Sequence, residues 1–109
     1  MADDPELTED GYPTDEALER IRVAEPREAL ELAERAWHWD GWATRELKPA
    51  ERDIVSGDGS KQFIRFATGG WSGNESIISA LDANWVVTML CWQMSARGGL
   101  HIYELPKAT

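Results

Sequence analysis

The sequence predicts an α+β domain: two N-terminal helices, then a β-hairpin, a helix and a C-terminal β-hairpin, the strands forming one antiparallel sheet with the helices packed on one face. Three observations carry this expectation. Ala29, Leu30, Ala33, Ala36 and Trp37 recur at three- and four-residue spacing, the period of a helix with one buried face. The run from Lys61 to Thr68 instead carries apolar weight on both alternating faces and follows the turn sequence Gly57-Asp58-Gly59-Ser60, as a central strand leaving a hairpin does. Near the end, Gly98-Gly99 separates two further apolar runs and reads as a second turn.

Taken in order, residues 1–11 are acidic and almost free of apolar side chains, so a mobile tail is expected there, with a single domain over 12–109. Thr14 follows Pro13 as a helix N-cap, Asp15 and Glu16 suit the first turn, and Ala17, Leu18 and Ile21 share a face. Glu25-Pro26 breaks this helix, and Pro26 then opens a second one that runs to about Trp39. Between Asp40 and Pro49 the pattern weakens, and the first strand of the hairpin is expected near Arg52–Ser56. Ser72 and Glu75 have capping-box spacing, each side chain positioned to satisfy an otherwise orphaned backbone donor. Ile77, Ile78 and Leu81 form the stripe of this third helix, which ends near Ala83, with Asn84 suited to a left-handed residue beyond it. Trp85 to Met94 is rich in Trp, Val and Thr, which favours a strand with Trp85 and Trp92 in the core. A last strand, Leu100–Leu105, stops at Pro106.

Charge is distributed unevenly along the chain. The net charge is −9, and all of it falls in residues 1–34, where twelve acids face Arg20, Arg22 and Arg27; the remaining residues balance. Such a field attracts basic partners and repels nucleic acid and anionic membranes. Direct nucleic-acid binding and membrane association are therefore not expected. The opening residues lack the basic and apolar regions of a secretory signal, which points to the cytosol. Cys91, the only cysteine, sits in an apolar run and reads as a packed thiol.

Two surfaces compete for function. One is the array Asp15, Glu16, Glu19, Glu28, Glu31 and Glu34 on the first two helices, which can imitate a phosphate track and occupy the basic groove of a nucleic-acid-binding protein. Glu16 with Arg20, and Glu31 with Arg35, have the spacing of ordinary helix ion pairs. Trp37, Trp39 and Trp42 cannot all face inward from one helix; Trp39 and Trp42 are read either as anchors for another protein or a homodimer, which joins them to the partner surface, or equally as a cap over the sheet edge. The other candidate is the turn from Gly69 to Glu75. The amides of Gly70, Trp71, Ser72 and Asn74, with Glu75 at the helix start, could cradle an anion helped by Arg97 and His101 if the two turns meet. His38 and His101 lack metal-ligand spacing, and Ser72 or Ser95 with His101 and Asp82 makes a triad only if the fold assembles it. No catalytic residues, metal or cofactor are assigned, and the chain is read as a non-enzyme.

Gly11-Tyr12-Pro13-Thr14, Gly70-Trp71-Ser72-Gly73-Asn74-Glu75, Trp92, Ser95, Arg97-Gly98-Gly99 and Tyr103-Glu104 together resemble the pattern of a family of small uncharacterised proteins encoded by phages and mobile elements. The resemblance spans most of residues 11–105. Family members commonly carry two arginines before the paired glycines, where this chain has Ala96-Arg97. It implies a setting inside a host cell and interference with a host process. The expectation is a cytosolic protein-binding protein that inhibits host nucleic-acid-handling machinery. The alternative is a ligand- or anion-binding protein using the Trp71 turn and Arg97.

Overall fold

The computed structural model describes residues 4–38, 42–49 and 60–106. Four helices and four strands occur in the order α1 (Asp15–Val23), α2 (Pro26–Ala36), β1 (Ala43–Pro49), β2 (Ser60–Ala67), α3 (Ser72–Ala83), α4 (Trp85–Leu90), β3 (Trp92–Ala96) and β4 (Leu100–Glu104). The strands form one antiparallel sheet in the order β1-β2-β4-β3. This is the α+β architecture expected, with β2 internal.

Register decides which side chains the helices cover. Ile64 pairs with Tyr103, and Phe66 with Ala43 and His101; pairs directly opposite share a face. Ile64, Phe66 and Tyr103 are fully buried against Ile21, Leu30, Leu32, Ile77, Leu81 and Val87 from the helices. Thr44, Arg65, Ile102 and Met94 lie on the other face, where Arg65 and Met94 are exposed.

α1 begins as expected: Thr14 Oγ1 accepts from the Ala17 amide at 3.1 Å. Pro26 occupies the first turn of α2, but that helix stops at Ala36, and Trp37 turns extended. The Trp37 indole donates to the Ala67 carbonyl at 3.0 Å and packs on Phe66, so helix and sheet hold it on the core side. From Asp4 onward, the residues expected as a tail have defined contacts. Leu7 bridges Pro13, the Thr14 amide donates to the Glu6 carbonyl, and Pro5 is buried.

Several expectations need correction. The partner strand of β2 is β1 at Ala43–Pro49; the segment Arg52–Ser56 and the turn residues Gly57–Gly59 lie outside the described residues. β1 is an edge strand, where charged side chains and a terminal proline are tolerated, so it shows no apolar alternation. Trp71, not Ser72, is the N-cap of α3, and no side chain caps it; the Ser72–Glu75 box does not form. Instead of a strand from Trp85, the chain makes the short helix α4. Asn84 is extended (φ −85°, ψ 93°) rather than left-handed. Its Oδ1 accepts from the Val87 amide at 3.4 Å, while its Nδ2 donates to the Ile21 and Ala24 carbonyls at 2.9 Å each. The Asn84 backbone amide closes α3 on the Ala80 and Leu81 carbonyls, while its buried side chain starts α4 and fastens this junction to the end of α1. Trp85 and Trp92, expected in the core, are exposed at 68% and 46%.

Candidate functional site

The turn that carries Trp71 is built around three engaged groups. The buried Asn74 accepts from the His38 amide at 2.9 Å and donates to the His38 and Thr68 carbonyls at 3.3 Å each. His38 is thereby held so that its ring stacks on the Trp71 indole, with centroids 4.3 Å apart. Tyr12 approaches the same indole at 4.5 Å. The indole also lies over Gly73, where an added Cβ would collide with the six-membered ring of Trp71. Glycine is therefore required in the first turn of α3 for space, not for backbone freedom. Tyr12 and His38, which sequence reasoning did not join to Trp71, are its partners.

The two turns do meet. The Thr68 amide donates to the Gly99 carbonyl at 2.9 Å, and a Cβ at Gly99 would collide with the Thr68 hydroxyl. Beyond this contact, Ser95 Oγ accepts from the Trp92 indole at 2.9 Å and shares a 2.8 Å hydrogen bond with His101 Nδ1. Burial lowers the His101 pKa, offset in part by the charges of Asp82 and Glu75. Ser95 and His101 thus form a pair, but Asp82 reaches His101 only through its field, with no hydrogen bond between them among the described residues. That falls short of a triad, whose acid must hold the imidazole by a hydrogen bond. Arg97 is exposed on the turn between β3 and β4. Tyr103 is fully buried and its hydroxyl has no hydrogen-bond partner among the described residues; burial first, then the Asp82 carboxylate, pushes its pKa up. Among the described residues no group of three or more His, Cys, Asp or Glu converges as a metal site.

The six helical carboxylates divide into two sets. Glu34 receives two hydrogen bonds from Arg45, at 2.7 and 2.9 Å, and Glu31 lies between Arg27 at 3.6 Å and Arg45 at 3.5 Å. Glu19 pairs with Arg22 at 2.9 Å. Arg35, expected opposite Glu31, donates to the Glu31 carbonyl and pairs with Asp4. Asp15, Glu16 and Glu28 are exposed and form no ion pair among the described residues. They are joined by exposed Glu6, Glu9 and Asp10, which the hydrogen bonds of residues 6–14 place beside the start of α1. The uncompensated acid is thus centred on the N-terminal loop and first turn of α1, whereas the α2 carboxylates mostly tie that helix to arginines.

Two apolar features complete the surface. Trp42, 44% exposed, lines a shallow recess of about 310 Å³ on the open sheet face with Thr44, Arg65 and Ala67; Trp39 lies outside the described residues. On α4, Trp85, Met89 and Leu90 are 68%, 70% and 67% exposed. Sequence reasoning missed this corner because a strand assignment buries the same residues. The Trp85–Met89 spacing, one helical turn beyond a good N-cap, was the available signal. No family model, curated protein or solved structure matches the chain, and no helix among the described residues is long and apolar enough to cross a membrane.

Proposed function

We propose that this protein works by binding another protein, and that it meets a basic partner with the acidic surface formed by residues 6–16. The observation that carries the reading is the set Glu6, Glu9, Asp10, Asp15 and Glu16, all exposed and without ion pairs among the described residues. A helix N-terminus offsets only about half an elementary charge, so five carboxylates leave this surface strongly negative. Exposed charges of one sign speed encounter with a complementary surface and exclude like-charged ones.

A nucleic-acid-handling protein fits the partner class, because a groove that accepts phosphates also accepts carboxylates. The resemblance to phage- and mobile-element proteins points the same way, toward a host protein whose nucleic-acid site is occupied and inhibited. Mimicry through α2 is the weaker form of this reading, since Glu31 and Glu34 are engaged by arginines.

The test is capture from a host-like lysate by the tagged protein and by a Glu6→Lys, Asp15→Lys, Glu16→Lys variant of unchanged fold. The wild type should retain a basic nucleic-acid-binding protein at low salt, and the variant should lose it. Equal retention by both would refute the acidic docking surface.

A further inference from the structure

The two edges of the sheet differ in a way that bears on assembly. β1 carries Arg45, Glu46, Lys48 and Pro49, the kind of residues that guard an edge against pairing with another strand. β3 reads Trp-Gln-Met-Ser-Ala and is exposed along its whole length, with no charge and no proline. Its only irregularity is the register shift between Trp92 and Met94 against β4. α4 leads directly into it and adds Trp85, Met89 and Leu90.

From this contrast we infer that β3 and α4 form the interface of a symmetric homodimer, in which the β3 edges of two copies pair antiparallel and α4 packs across the seam. A second copy is favoured by charge. In a chain of net charge −9, the segment from Ala83 to Tyr103 contains one charged side chain, Arg97. The segment itself adds no carboxylate to the seam, Asp82 and Glu104 flanking it, whereas contact through residues 6–16 would oppose five exposed carboxylates per copy. Area favours it too: on the helix side of the sheet Trp85, Met89, Leu90 and Trp92, exposed at 46–70%, present on the order of 500 Å² per copy, and Met94 adds to the seam from the opposite face, together most of the roughly 800 Å² per partner of a standard interface. Antiparallel pairing of identical edges satisfies two-fold symmetry, since each strand offers the same donors and acceptors to the other. The surface is separate from the acidic one, so a dimer presents two acidic surfaces and gains avidity for a partner with repeated sites.

Sedimentation equilibrium from low micromolar to a few hundred micromolar protein tests this, with amide exchange of residues 92–96 measured at both ends of the range. The wild type should approach twice the protomer mass, with those amides more protected at high concentration. Met94→Lys and Met89→Glu, both at exposed positions, should each weaken association by at least about tenfold, roughly 1.4 kcal/mol, with unchanged circular dichroism. The acidic-surface variant should dimerise normally. A wild-type protomer mass throughout would overturn the inference while leaving the acidic surface to stand or fall on partner capture. A dimer indifferent to both substitutions, with no change in exchange at 92–96, would overturn it equally.

Discussion

Trp71 shows how a single residue organises its surroundings. Its indole contacts the rings of Tyr12 and His38 and lies over Gly73, so the glycine and the ring are coupled. Alanine in a helix is ordinarily better than glycine by about 0.8–1 kcal/mol, while forcing a methyl into a packed contact costs about 1–3 kcal/mol. Gly73→Ala should therefore destabilise the wild type by about 1 kcal/mol and stabilise a Trp71→Ala background, a reversal of sign that urea unfolding of the four proteins measures. The prominence of Trp71 was legible in the sequence; its role was not, because Tyr12 and His38 reach it only through tertiary folding. His101 gives a pH dependence. Burial lowers its pKa against the pull of Asp82 and Glu75, so the unfolded chain takes up the proton first as pH falls. Its contribution is fully present above the ordinary histidine value and is lost as pH drops from there to the folded value. Unfolding free energy should be lower at pH 5.5 than at pH 7.5, and His101→Gln should flatten that difference.

Among the elements, α1, the start of α2, β2 and the final hairpin were legible because local signals agreed with the fold: a threonine cap, a first-turn proline, an apolar alternation and a paired-glycine turn. α4 was not. Its Trp, Val and Thr content favours a strand, and what overrides that is Asn84, which caps α4 while bonding two carbonyls at the end of α1. Loss of a cap costs about 1 kcal/mol, and leaving buried polar groups unsatisfied costs about 1–3 kcal/mol more. Asn84→Ala should therefore destabilise the protein by about 2–4 kcal/mol by urea unfolding, against about 1 kcal/mol for Thr14→Ala, where the cap stands alone. Similar losses at both positions would mean that the α1 contacts of Asn84 contribute little. β1 escaped notice for the opposite reason: an edge strand needs little apolar pattern, and Arg45 secures it by bonding Glu34 of α2.

Across the whole molecule, composition identified the acidic N-terminal third of the chain, but only the fold sorts its carboxylates into those held by arginines and those left to solvent. Cys91, between α4 and β3, reports on integrity at this scale. Its thiol is buried, and burial together with Glu104 pushes its pKa up to about 11. A disulfide reagent should modify it at the rate of unfolding and not by direct attack, so mild denaturant should accelerate labelling in step with loss of structure. Electrostatic docking through residues 6–16 is tested by the dissociation constant of the captured partner as a function of salt, for the wild type and the Glu6→Lys, Asp15→Lys, Glu16→Lys variant. Exposed charges are screened over about 10 Å at 0.1 M salt, so wild-type affinity should fall steeply as salt rises and the variant should bind weakly throughout. Equal, salt-independent affinity in both proteins would rule out docking by these carboxylates.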